Sequence, residues 1–258
     1  MIDLTEKAKQ IRREILEMCH NSGLNHLTPA LSCVELLVSI YYNKLFDFSM
    51  HSDERDRFIL SKGHANTALF AILADLGFFP KEEIQKLCNG GILGGHLENV
   101  IPGVEAISGS LGHGLGIGAG IALRAKLDNK KYNTIVLMSD GECYEGSVWE
   151  AAMFIAHHKL NVIGIIDRNM LSASGFTEEN LKLESLTGKW FQFGWNVDFI
   201  NGHSFEEILQ SLNRDSRPQM IIANTIKGKG ISFAENEPLW HVKVPSGNQL
   251  TQARRELM

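Results

Sequence analysis

Residues 134-TIVLMSDGECYEGSVWEAAMFIAHHKLNVIGIIDRN-169 decide the fold. Two almost wholly apolar runs, TIVLM and VIGII, enclose a segment of helical length and character at about 146–158. Short apolar runs bounded by turn residues read as strands buried on both faces, and a helix between two such strands makes them parallel neighbours. Asp140, Glu142 and Glu145 crowd around Gly141 and Gly146 where the first strand gives way to the helix. A solvated acidic turn is the plain explanation; the rest of the chain supplies another.

The same alternation continues toward the C-terminus, with strands expected at 196–200 and 219–225 and a helix at 204–213. Toward the N-terminus, Ile11, Ile15 and Met18 mark a first helix. The breaker-rich stretch 20–32 reads as a loop, 33–46 as a helix with Val34, Leu37, Val38 and Tyr41 on one face, and 65–77 as a helix. The segment 55-RDRFILSKGH-64 reads as a short strand ending in a loop. Residues 90–120 are glycine-dense, and helical character resumes at 121–127. The expected fold is therefore α/β, a doubly wound, mostly parallel sheet with helices on both faces, forming one domain over 1–258. No internal repeat or linker interrupts it.

With 44% apolar and 21% charged residues the chain has the composition of a packed globule, not of a disordered segment. A net charge of −5 without a basic stripe argues against nucleic acid. No apolar run approaches the ~20 residues of a membrane span. Cys19, Cys33, Cys88 and Cys143 show neither paired nor zinc-like spacing. A cytoplasmic protein with reduced thiols is expected.

In a doubly wound sheet, ligands bind beyond the carboxyl ends of the strands. Asp140 ends one expected strand and Asn169 follows the next, 29 residues later. One carboxylate and one amide oxygen, with a backbone carbonyl, make a sparse set of hard donors, suited to Mg²⁺ or Ca²⁺ completed by diphosphate oxygens. Gly141 permits close backbone approach, and the following helix directs its amide end to the same place. Either residue alone reads more simply as part of a turn; the pair at matching strand ends favours the site.

SDGECYEG followed by IIDRNMLSASG resembles the thiamine diphosphate motif of the transketolase family. Five further patches resemble that family in order: 26-HLTPALS-32, 61-SKGH-64, 93-LGGH-96, 107-ISGSLGHGLGIGAGIAL-123 and 226-IKGKGISFAENEPLWH-241. The resemblance implies thiamine diphosphate and a divalent cation, Mg²⁺ with Ca²⁺ or Mn²⁺ as alternatives. It implies Asp140, Asn169 and the carbonyl of Leu171 as metal ligands. Gly141 and Glu142 would stand at the diphosphate, and Gly109, Ser110 and Leu111 at the aminopyrimidine. His64, His96 and His241 would line the channel above the thiazolium, His64 and His241 also touching the diphosphate, and His26 would face the sugar hydroxyls. Glu145 matches a carboxylate near the subunit interface; its plain alternative is a solvated glutamate at a helix start. Each histidine taken singly reads more simply as a structural imidazole. Gly114 and Gly118 share a helix face, expected to pack closely at a subunit interface.

Ser139 stands where the motif usually has glycine, and LTPALS departs from the usual glycine-rich form, which bears on substrate choice. A complete transketolase is more than twice as long as this chain. The resemblance thus implies the N-terminal, diphosphate-binding subunit of a split transketolase, moving a two-carbon ketol unit from a ketose to an aldehyde. A C-terminal subunit would supply the pyrimidine-binding domain, with two copies of each chain and sugars or sugar phosphates as substrates. Alternatives are another enzyme of the same cofactor class, such as a decarboxylating synthase or a tailoring enzyme for unusual sugars, and a non-catalytic binding relic.

Overall fold

The computed structural model describes residues 2–50 and 52–258. Its strands are β1 (Arg57–Leu60), β2 (Thr134–Ser139), β3 (Val162–Arg168), β4 (Asn196–Asn201) and β5 (Gln219–Asn224), all parallel, in the order β1-β2-β3-β5-β4. Every residue of β2 and β3 is buried, which their apolar runs require. β4 lies at the edge and alternates instead, with Asp198 and Ile200 inward and Phe199 outward.

Helices α1 (Leu4–Ser22), α2 (Leu27–Ser32), α3 (Val34–Tyr42) and α4 (Asn66–Asp75) precede α5 (Gly114–Leu127), α6 (Gly146–His157) and the short α7 (Thr177–Asn180). α8 (Leu186–Gln192), α9 (Phe205–Leu212) and α10 (Gly247–Glu256) follow. The two-residue period of the strands sorts their side chains between two cores. Ile135, Leu137, Ile163 and Ile165 face α1, α3 and α4, whereas Val136, Met138, Val162 and Ile166 face α5, α6 and α8. α1 starts where the Asp3 carboxylate accepts from the amides of Thr5 (2.9 Å) and Glu6 (3.2 Å), and it stops at Gly23 in the left-handed region.

Three expectations need correction. Residues 27–32, read as loop, form α2: Pro29 sits in the first turn, where its missing amide costs no helical hydrogen bond, and every residue of the helix is buried. α5 begins at Gly114 rather than 121, and Gly114 and Gly118 face the sheet rather than an outer interface. A Cβ on Gly114 would lie 2.4 Å from Ser61 Cβ, and one on Gly118 2.7 Å from Val136 Cγ2. Close packing on β1 and β2 thus compensates the poor helix propensity of glycine there. α8 and α10 have no counterpart in the sequence reading.

Partnering of Ser139 with Asp167 across β2 and β3 fixes the register that brings Asp140 and Asn169 to one edge. β1 and β5, which flank this pair, bring their own C-terminal loops alongside.

Candidate active site

Loops after β1, β2, β3 and β5 enclose a cavity of about 650 Å³ at the carboxyl edge of the sheet. Asp140 lies at its floor, 1% exposed. Its Oδ1 accepts from Gly141 N at 2.8 Å, and its Oδ2 accepts from Met170 N at 2.8 Å and Arg168 Nη1 at 3.1 Å. Burial pushes the carboxyl up to about 6, against the pull of Arg168. Arg168 gives it only part of its charge, since Nη2 also bonds Glu178 (2.7 Å) and Glu184 (2.9 Å).

Asn169 donates from Nδ2 to Asp167 Oδ2 at 3.3 Å, which orients the amide. The Leu171 carbonyl accepts from the ammonium of Lys227 at 3.1 Å, as does the carbonyl of Ser172. Burial, and then the charge of Lys62, bring Lys227 down to about 8. Lys62 is fully buried beneath the cavity, ion-paired with Asp167 and donating to Pro29 O at 2.9 Å.

Three histidines form a triangle on the cavity wall. Ring centroids are 5.8 Å apart for His26 and His64, 5.3 Å for His26 and His241, and 5.9 Å for His64 and His241. Burial holds all three below the ordinary imidazole value: His241 at about 3 with help from Lys227, His64 well below with help from Lys62, and His26 with help from His96. They are neutral at neutral pH. His241 Nδ1 lies 2.7 Å from Lys227 Nζ. An ammonium only donates, so Nδ1 accepts and the single ring proton sits on Nε2.

Of the residues expected at the site, His26, His64, His96, His241, Glu145, Gly109, Leu111, Asp140, Gly141, Asn169 and Leu171 line this one cavity. Two do not. Glu142 points away and is fully buried: it bonds Ser61 Oγ, accepts from Gly112 N at 3.0 Å, and closes a capping box by accepting from Ser139 N at 2.8 Å. Its carboxylate ties three loops together behind the site. Ser110 is exposed and belongs to a neighbouring depression with His96 and His113. Glu145 makes no capping bond to α6, so its side chain stands free at the cavity. Sequence reasoning overlooked Lys62, Lys227 and Arg168. Each follows or ends a strand on the same edge as Asp140, and that placement was the available signal.

The donor set fits a cation carrying further ligands. No cluster of three histidine, cysteine or acidic side chains among the described residues holds a metal unaided. The buried carboxyl, short of positive charge, favours an added cation with ligand oxygens completing the shell, and a cation at the Leu171 carbonyl would share or displace the Lys227 ammonium there.

Residues 5–257 match the family model described as transketolase, thiamine diphosphate binding domain. The chain belongs to the transketolase family. It is 39% identical to one of the subunits of the apulose-4-phosphate transketolase of Phocaeicola vulgatus, over 97% of this chain and 92% of that one. It is 38% identical to the 6-deoxy-6-sulfo-D-fructose transketolase subunit SqwG of a Clostridium species, over 93% and 90%. Transketolase from Campylobacter jejuni superposes with a TM-score of 0.91 at 26% identity, covering 100% of this chain but 43% of its own. This family member therefore spans less than half of that full-length transketolase, and nearly all of the subunits.

Proposed function

We propose that this chain is the diphosphate-binding subunit of a two-subunit transketolase that moves a two-carbon ketol unit from a ketose to an aldehyde. The observation that carries the reading is the convergence of Asp140, Asn169, Lys227 and three neutral histidines on one cavity, in a chain related to named transketolase subunits along nearly its whole length. Asp140, Asn169 and the Leu171 carbonyl would hold Mg²⁺, or Ca²⁺ or Mn²⁺ with the same oxygen donors, and through it the diphosphate. Gly109 and Leu111 would meet the other end of the cofactor, with Glu145 toward the partner. Thiamine diphosphate, when bound, supplies the electron sink for carbon–carbon cleavage.

The chain's own residues orient and move protons. Neutral His26 and His64 each offer one N–H to the sugar's oxygens and one lone pair to its hydroxyl protons. His241 offers its Nε2–H, because Lys227 occupies Nδ1. His96, more exposed, stands nearer the entrance. Both subunit relatives are named for compounds carrying an anionic group, a phosphate or a sulfo group, and we assign the substrate to the same chemical class. The pyrimidine-binding domain comes from a partner chain, with two copies of each subunit. No described helix is long and apolar enough to cross a membrane, and we place the enzyme in the cytoplasm.

Calorimetry on the assembled two-subunit protein tests this. Thiamine diphosphate affinity is expected to need a divalent cation, to vanish with chelator, and to fall more than about tenfold in Asp140→Ala. Unchanged affinity in that variant overturns the metal assignment.

A further inference from the structure

Lys227 enters the cavity from the turn at 225–230, which Thr225 ties to Asp167 and Arg168 and Gly228 N ties to Thr28 O at 3.1 Å, and which is held further from its far side. The Ile226 amide donates to His203 Nε2 at 2.8 Å, and Arg12 Nε donates to Lys229 O at 3.1 Å. His203 sits in the β4–α9 connection and reaches no part of the cavity. Its Nδ1 lies 3.0 Å from Glu35 Oε2, which also accepts from Arg12 Nη2 at 2.6 Å. The protons are determined: an amide only donates, so Nε2 accepts, and Nδ1–H donates to the carboxylate. Glu35 thereby holds His203 in the tautomer that Ile226 needs. A buried charged pair on α1 and α3 is not needed for packing, since apolar side chains of similar volume serve at least as well. Here it orients an imidazole.

We propose that His203, fixed by Glu35 and Arg12, is a positioning residue for the cofactor site: it sets the 225–230 turn and so places Lys227 without touching the cavity. The proposal rests on the reading of that cavity as the thiamine diphosphate site. Two conservative replacements separate the ring's two roles. The Oε1 of glutamine reaches the place of Nε2 and still accepts from Ile226, whereas asparagine reaches only the place of Nδ1 and leaves the amide unpaired.

In the assembled two-subunit protein, thiamine diphosphate dissociation constants at saturating Mg²⁺ and amide hydrogen exchange over 225–230 are measured for each variant. His203→Gln is expected within about threefold of the parent; His203→Asn is expected to bind about tenfold more weakly and to exchange about tenfold faster in that segment. The effects of His203→Asn and Lys227→Met on binding should combine to less than their product, because one acts through the other. Parent-like binding and exchange in His203→Asn overturn the proposal, as do equal losses in both His203 variants or a full product in the double variant. Glu35→Gln serves if the asparagine variant does not assemble: its amide pairs with either tautomer, and exchange over 225–230 should rise, unchanged exchange refuting the idea. Failure of the parent to bind thiamine diphosphate defeats the reading of the cavity, while the exchange contrast still decides the role of His203.

Discussion

Burial alone would raise the pKa of Glu35, but His203 and Arg12 outweigh it and hold the carboxyl at about 2. An acid with a lowered folded value stabilises the protein above its unfolded value, and that stability is lost as pH falls through the folded one. In urea unfolding, Glu35→Gln should therefore cost up to about 3 kcal/mol at pH 7, with the gap to the parent closing as pH falls from 4.5 toward 2. A gap independent of pH would place the loss in packing. His64 and His241 differ in kind, because their rings face the cavity. Alanine at either should lower turnover of the assembled enzyme by roughly 10²–10⁴-fold with little change in melting temperature; normal turnover with early melting would make them structural. Asp140, Asn169 and the histidines were legible in the sequence because strand ends and short motifs mark them. Lys62 and Arg168 were not, since burial of their charges depends on Asp167, Glu178 and Glu184, which sequence spacing does not bring together.

Elements were most legible where one physical signal dominates. The apolar runs of β2 and β3 announce strands buried on both faces, and the structure has them so. The first half of α5 was hidden because glycine argues against helix, while the reason for tolerating it lies in β1 and β2. Within that helix, Gly114 and Gly118 touch the sheet, whereas Gly116 and Gly120 have nothing within 4 Å of an added Cβ. Gly118→Ala should therefore destabilise by about 1–3 kcal/mol through overpacking against Val136. Gly116→Ala should stabilise the chain by about 1 kcal/mol through helix propensity. Thermal melts of the two variants read the difference directly, and shifts of the same sign would mean that α5 is rotated from the orientation described. α2 escaped because Pro29 reads as a breaker, although in the first turn a helix accepts it.

The whole molecule leaves apolar side chains outside both cores. Leu111, Ile117, Met153 and Phe154 are exposed before and along α5 and α6, which pack side by side, while Phe176 and Leu181 are exposed beside the cavity. Large apolar side chains exposed on two adjoining helices mark a candidate partner surface. The exposed rim meets the cavity wall at Leu111 and Leu181. A partner seated there would close the site as well as bury the rim, which is what the proposed two-subunit transketolase requires. The chain alone, with thiamine diphosphate and Mg²⁺ in excess, should then show little or no ketol transfer, and activity should rise on titration with the partner subunit and saturate at equal numbers of the two chains. Gly116→Leu places a bulky side chain on the outward face of α5 without entering the core. It should raise the melting temperature of the chain slightly, as Gly116→Ala should, while raising the partner concentration needed for half-maximal activity by about tenfold, since a side chain that cannot be accommodated at a packed interface commonly costs about 1–3 kcal/mol. An unaltered titration would move the interface elsewhere. Robust turnover by the isolated chain would mean that one chain completes the active site, and the two-subunit reading would fall.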